Sequence, residues 1–348
     1  MVDDSATARR MLVDALSADP DLEVVGTASN GIVGLLDIAK LTPDIVTLDV
    51  EMPEMSGLEV LKKLRRDHPT QRVIMFSALT EPGAMETIEA LSLGAQEYVT
   101  KPANADDPAA GMRQIREQLT PKIKGLCGDI LKTVTDAPVA VEMSRRPVAR
   151  TSRIDMVAIG ISTGGPNALD VVIPALPTDF PVPVLIVQHM PSIFTRHLAE
   201  RLSSRSAVSV REATDGEQVQ PGAVRIAPGD WHMVVERECG SGKIRLHRGD
   251  LENSCRPSAD VLFRSVAAVH GSNALAVIMT GMGQDGLDGC RQIRDAGGTI
   301  LAQDEATSVV WGMPGSVIRA GLASIVLPLS KIAGEINRRS CAGRNQQD

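Results

Sequence analysis

Ser162 lies in Gly160-Ile161-Ser162-Thr163-Gly164, directly after the apolar run Met156-Val157-Ala158-Ile159. A serine on a tight, glycine-flanked turn after a strand stands where a hydrolase holds its nucleophile. The glycines let the backbone bend, and a helix start behind the turn aims N–H groups at developing negative charge. A hydroxyl is a weak nucleophile near neutral pH, so it needs a general base, and that imidazole needs an acceptor to fix its tautomer. Of the six histidines, His189 is best placed, ending Val184-Leu185-Ile186-Val187 in Gln188-His189-Met190-Pro191. Asp285 follows the run from Ala274 to Met279, in Thr280-Gly281-Met282-Gly283-Gln284-Asp285-Gly286. The glycine-rich turn around Met282 offers a backbone N–H for an oxyanion. The chain order Ser, His, Asp departs from the Ser, acid, His order of ordinary α/β-hydrolases.

A second set of reactive residues lies in the first third of the chain. Asp3 and Asp4 open it, Asp49 ends the run Ile45-Val46-Thr47-Leu48, Ser77 ends the next apolar run and Lys101 the last. At the carboxyl edge of a parallel sheet these groups converge. Clustered carboxylates repel one another unless a divalent cation joins them, and Mg²⁺ suits a site of one or two carboxylates plus phosphate oxygens. The chemistry implied is phosphoryl transfer to Asp49, with Lys101 pairing with the phosphoryl oxygens, Ser77 donating to them and Tyr98 as a candidate switch. Each acid taken singly reads as a solvated loop carboxylate, and His189 alone as a packed strand-end histidine. The joint pattern favours chemistry.

The elements that must position these residues alternate in type. Short apolar runs (22–25, 45–48, 73–76, 97–100) alternate with amphipathic runs (32–40, 58–66, 84–92), which is the βα pattern of a parallel sheet covered on both faces. After Pro102 the pattern turns polar, with one helix from Gly111 to Leu119 and a basic cluster at Arg145, Arg146 and Arg150. The alternation returns with strands at 156–159, 184–188, 224–227, 274–279 and 299–302. The fold class expected is α/β, with two doubly wound parallel-sheet domains. Their bounds are read as 1–103 and 151–338, with a linker at 104–150 and a polar, disordered tail at 339–348.

The bulk properties narrow the function. Among 348 residues the net charge is −7, which argues against a nucleic-acid or anionic-membrane footprint, since both need clustered Lys and Arg. No apolar stretch approaches eighteen residues and no signal sequence opens the chain, so a cytoplasmic protein without membrane insertion is expected. The five cysteines are scattered, with no C-x-x-C pair, as in a reduced chain without a zinc site.

Two resemblances then emerge from the motifs. Asp3-Asp4-Ser5, Leu48-Asp49-Val50-Glu51-Met52-Pro53 with Gly57, Ser77-Ala78-Leu79-Thr80 and Thr100-Lys101-Pro102 resemble the receiver domain of two-component response regulators. That implies Asp49 as phosphoacceptor, Mg²⁺ held by Asp3, Asp4, Asp49 and the Glu51 carbonyl, and a chemotaxis histidine kinase as phosphodonor. A receiver's central first strand should precede the acidic pair, yet only Met1 and Val2 stand there, so that strand is read as truncated and the natural start is expected upstream. Ile159 to Pro166, Gln188 to Pro191, Arg256 to Phe263, Thr280 to Gly286 and Trp311-Gly312-Met313-Pro314-Gly315 resemble the chemotaxis protein-glutamate methylesterase family, CheB. That implies Ser162 as nucleophile, His189 as base and Asp285 as its orienting acid, with no cofactor for the esterase. The implied substrates are glutamate γ-methyl esters of chemoreceptors, with deamidation of receptor glutamines in some members. The alternatives are a phosphorylation-controlled binding protein with a vestigial site and a small-molecule esterase. A phosphoacceptor domain argues against the latter.

Overall fold

Ile45-Val46-Thr47-Leu48 carries aliphatic and β-branched side chains on both faces, so it forms a strand buried on both sides. In the computed structural model it is β1 (Ile45–Asp49), which pairs in parallel with β2 (Arg72–Ser77), itself parallel to β3 (Glu97–Thr100). The structure describes residues 1–102, 108–128, 153–238, 241–342 and 344, and the chain divides into two units between Asp136 and Ala137. Among the described residues of the first unit the helices are α1 (Ala6–Leu16), α2 (Gly31–Leu41), α3 (Gly57–Asp67), α4 (Glu81–Ser92) and α5 (Pro108–Leu126). The start of α3 is fixed by a reciprocal capping box between Ser56 and Glu59, which satisfies two orphan donors.

The chain start occupies the middle of this sheet. Val2 bridges Ala28 on one side and Leu48 on the other, both in parallel, and Asp49 N–H donates to Val2 O at 2.8 Å. The expected strand at 22–25 does not form. A strand needs a ladder partner, and the backbone hydrogen bonds of Met1 and Asp3 reach only Gly26 and Ala28 here, so residues 22–27 carry no ladder and Val25 is half exposed. The expected linker also needs correction. Its helix runs from Pro108 to Leu126 and packs on α1, burying Ile115, Leu119, Ile123 and Leu126, so the first unit extends well past residue 103. This apolar stripe at helical spacing has a core to join, which a linker would not. The basic cluster at Arg145, Arg146 and Arg150 lies outside the described residues, as does Cys239.

The second unit is built on a seven-stranded sheet in the order β12-β11-β10-β4-β5-β7-β6. The strands are β4 (Met156–Ile161), β5 (Val184–Gln188), β6 (Ser209–Glu212), β7 (Ala223–Ile226), β10 (Ala274–Ile278), β11 (Thr299–Gln303) and β12 (Ile325–Leu327). Every pairing among them is parallel. The helices that flank the sheet are α6 (Gly165–Val172), α7 (Ser192–Arg205), α8 (Ala259–His270), α9 (Leu287–Asp295), α10 (Met313–Arg319) and α11 (Leu329–Cys341). The chain winds outward from β4 through β5, then crosses back to β10 on β4's other side. That reversal makes the carboxyl end of β4 a topological switch point, where open α/β sheets bind ligands.

Two features differ from the sequence reading. An antiparallel hairpin, β8 (His232–Glu238) and β9 (Ser241–His247), stands apart from the main sheet, and its charged, mixed pattern gave no clear strand signal. The tail expected to be disordered from residue 339 is helical to Cys341, because Ile332, Ala333, Ile336 and Ser340 form a buried stripe on α11. Among the described residues no helix is long and apolar enough to cross a membrane.

Candidate active site

Three neighbouring strands, β10, β4 and β5, deliver the three residues singled out in the second half of the chain. Ser162 follows β4, where its N–H donates to Thr280 O at 3.0 Å and its carbonyl accepts from Gln188 Nε2 at 3.0 Å. His189 follows β5 and donates its N–H to Ile161 O. Asp285 sits in the loop after β10. Gly164 can leave the turn with φ +76°, a conformation that L side chains rarely adopt, and α6 starts immediately behind it. Gly281 packs so tightly on the nucleophile turn that a Cβ there would stand 2.9 Å from Ser162 Cβ. Met282, next along, is partly exposed, and among the described residues its N–H enters no hydrogen bond.

His189 Nε2 meets Asp285 Oδ2 at 2.8 Å, across 96 residues of sequence. Asp285 is only 2% exposed, and its carboxylate is ringed by donors. Ser258 Oγ donates to Oδ1 at 2.7 Å, Asn253 Nδ2 to Oδ1 at 2.9 Å, Ala259 N–H to Oδ2 at 2.6 Å and Asp260 N–H to Oδ1 at 3.2 Å. The backbone donors belong to the first turn of α8, the positive end of a helix. Burial by itself would push the Asp285 carboxyl up, but the bonds from His189, Ser258 and the Ala259 N–H outweigh it and hold it well below the usual range. The imidazole moves the other way. Burial disfavours its charge, yet the bond to Asp285 and the contact with Cys255 raise its proton affinity above that of an ordinary histidine.

The carboxylate occupies Nε2, so Nδ1 is the nitrogen left to act as base. Cys255 Sγ lies on that nitrogen at 3.6 Å, and among the described residues no hydrogen bond joins Ser162 Oγ to the ring. Catalytic hydrogen bonds are often long in ligand-free enzymes and close when substrate binds. Sequence reasoning placed Ser162, His189 and Asp285 but assigned no role to Ser258, Asn253, Cys255 or Gln188. Ser258 lies inside the Arg256 to Phe263 motif, which is the signal the sequence offers for it. Asn253 and Cys255 carried none.

In the first unit, carboxylate oxygens of Asp3, Asp4 and Asp49 lie within 4.8 Å of one another. Lys101 Nζ is 2.7 Å from Asp49 Oδ2 and 3.2 Å from Asp3 Oδ2. Burial pushes the Asp49 carboxyl up to about 6, with the Lys101 bond opposing and the Asp3 charge adding to the rise. Two buried carboxylates and an exposed third, with the Lys101 ammonium facing them, suit a divalent cation bound by oxygen ligands. Gly57 lets this loop close, since a Cβ there would stand 2.0 Å from Asp49 O. Two expected contributors face elsewhere: Ser77 Oγ donates to Gly83 O at 3.1 Å, and Tyr98 is buried with Lys122 over its ring. Glu51 donates its N–H to Asp49 Oδ1 at 3.4 Å.

A switch point that gathers a glycine-turn serine and a histidine–aspartate pair makes the second unit an α/β domain of hydrolytic type. The acid cluster over Lys101 gives the first the form of a receiver. Comparison with known proteins agrees on both. Residues 157–336 match the family model described as CheB methylesterase, and residues 1–110 match the response regulator receiver domain. A protein-glutamate methylesterase/protein-glutamine glutaminase of Trichodesmium erythraeum is 47% identical over 343 residues, covering 97% of each chain. Its namesake from Thermotoga maritima is 43% identical over 332 residues, covering 95% of each. The crystal structure of the Thermotoga maritima CheB methylesterase catalytic domain is 46% identical, with a TM-score of 0.53 over 54% of this chain and 99% of that one. The chain belongs to the CheB methylesterase family, with a response regulator receiver domain preceding the catalytic domain.

Proposed function

We propose that the protein removes methyl groups from glutamate γ-methyl esters of chemoreceptors, under control of phosphorylation at Asp49. The observation that carries the esterase reading is the His189–Asp285 pair beside the Ser162 turn, at the switch point of the sheet. Ser162 Oγ attacks the ester carbonyl while its proton passes to His189 Nδ1. Asp285 stabilises the imidazolium through Nε2–H. The carbonyl oxygen, now anionic, is met by backbone N–H groups, with Met282 as the assigned donor. Methanol leaves with the proton from Nδ1, and water then releases glutamate from the acyl-enzyme by the same sequence in reverse. A receptor glutamine enters the same path with ammonia as leaving group. No cofactor takes part in these steps.

Phosphorylation belongs to the first unit. Asp49 is the phosphoacceptor, Lys101 pairs with the phosphoryl oxygens, and Ser77 contributes a donor once its hydroxyl turns from Gly83 O. Asp3, Asp4, Asp49 and the Glu51 carbonyl are the residues that would hold Mg²⁺, which when bound neutralises charge between these carboxylates and the phosphoryl group. Partners of this reading are a chemotaxis histidine kinase as phosphodonor and methyl-accepting receptors as substrate. The place of action is the cytoplasm, with no nucleic acid and no membrane insertion. The bonds that Asp285 keeps with the imidazole, Ser258 and the Ala259 N–H support a working site over the vestigial alternative.

The test is methanol release from methylated receptor fragments. Ser162→Ala should lose about 10⁴- to 10⁶-fold in kcat. A wild-type rate in that variant eliminates the nucleophile.

A further inference from the structure

The turn from Glu252 to Cys255 sends one side chain to each member of the His189–Asp285 pair. Its backbone is unusual: Asn253 and Ser254 both lie in the left-handed region, at φ 52° and 62°. Asn tolerates that region better than most residues. Cys255 lies on His189 Nδ1, as described above. Asn253 turns its amide between two buried carboxylates, with Nδ2 2.9 Å from Asp285 Oδ1 and 2.8 Å from Asp260 Oδ2. Asp260 is as buried as Asp285, and its Oδ1 accepts from the Gly289 N–H at 2.6 Å. Glu252 is anchored from outside by an ion pair with Arg264 on α8. The turn is therefore tied to the helix whose first residues clamp Asp285.

An amide with both hydrogens committed to carboxylates does two things. It fixes the direction of Asp285 from a side the helix does not cover, and it withdraws negative charge from that carboxylate. Withdrawal matters because His189 must give up its proton to act as a base, and an undiluted carboxylate would hold that proton on the ring.

We infer that Asn253 is a positioning residue for the esterase reaction, whose amide sets Asp285 against His189 and tempers its charge so that the imidazole is oriented without being locked in its protonated form. This rests on the reading of Ser162, His189 and Asp285 as the catalytic set. The other ionisable groups around Asp285 are Asp260 on α8, Cys290 on α9, Glu252 with Arg264, and Cys255 behind the imidazole. None of them changes in the variants below.

Asn253→Gly removes the amide while keeping a residue at ease with positive φ, and Asn253→Asp keeps the shape while replacing donor by charge. For both, the acid-side midpoint of kcat/KM against pH and the His189 ring titration followed by NMR are measured in the full chain. The midpoint is expected to rise by about one pH unit in Asn253→Gly and further in Asn253→Asp. At neutral pH kcat should fall about tenfold, with KM within about twofold of wild type. A purely structural role would lower the amount of active enzyme and leave the midpoint where it is. A midpoint that stays or falls in both variants, by rate and by NMR, overturns the inference. Ser162→Ala measured alongside separates the two readings. If it retains the wild-type rate, the catalytic set itself is wrong. If it is inactive while the midpoints stay, only the role of Asn253 falls.

Discussion

Asp49 and Asp285 occupy equivalent places in the two units: each lies at the carboxyl side of a parallel strand and each is 2% exposed. Their chemistry diverges. Asp285 accepts from a hydroxyl, an amide, an imidazole and backbone N–H groups at the start of α8, and its carboxyl is held down. Asp49 has one backbone N–H at 3.4 Å, one lysine at 2.7 Å and two neighbouring acids, and its carboxyl is pushed up to about 6. Donors decide whether buried negative charge is a fixed support or a reactive group. A carboxylate whose lone pairs are all engaged orients another residue. One that lacks donors is open to a cation and to a phosphoryl group.

Neutralising each acid in turn separates the two roles. Asp285→Asn should lose about 10⁴-fold in kcat, since the imidazole loses its tautomer and its support. Asp49→Asn should leave the unstimulated rate intact and abolish only the gain on phosphorylation. A gain of about a hundredfold needs about 2.7 kcal/mol of differential stabilisation, within reach of a single modification. Equal losses from both would sink the division of labour. Chelation by EDTA should act like Asp49→Asn, stopping phosphorylation from a small-molecule phosphodonor while sparing unstimulated methanol release.

Smaller effects follow from pH. The proton affinity of His189 is raised, so the base form is lost as pH falls through a midpoint above 6.5, and the kcat/KM profile should place that midpoint above the ordinary imidazole range. For stability the sign is opposite: the charged pair contributes fully below about 6.5 and its contribution disappears as pH rises through the elevated value. The thermal stability of the second unit should fall on that alkaline side. The smallest expected change is in Cys255→Ala. The thiol's contact with Nδ1 helps raise the proton affinity of the ring, so its removal should bring the midpoint down, the reverse of the shift expected for Asn253→Gly.

Much of the fold was legible because a strand buried on both faces must be aliphatic throughout. Val184 to Gln188 and Glu97 to Thr100 fall where the apolar runs put them. Residues 22–25 carry the same signal but form no strand, since pairing depends on what lies alongside. The polar stretch after Pro102 concealed a helix whose apolar stripe becomes meaningful only against α1. Ser162, His189 and Asp285 were legible because each follows its own apolar run, and strand ends in a parallel sheet share one edge.

Residue type and order along the chain thus determined which groups are available and that they lie at strand ends, because side-chain chemistry and strand periodicity are local properties. Which nitrogen of His189 is left to react, which donors ring Asp285 and why Asp49 has so few were decided by contacts between segments far apart in sequence. Asn253 and Asp285 are 32 residues apart, and His189 and Asp285 are 96 apart. Proton affinity depends on the field and hydrogen bonds at a point in space, and only the folded chain defines that point.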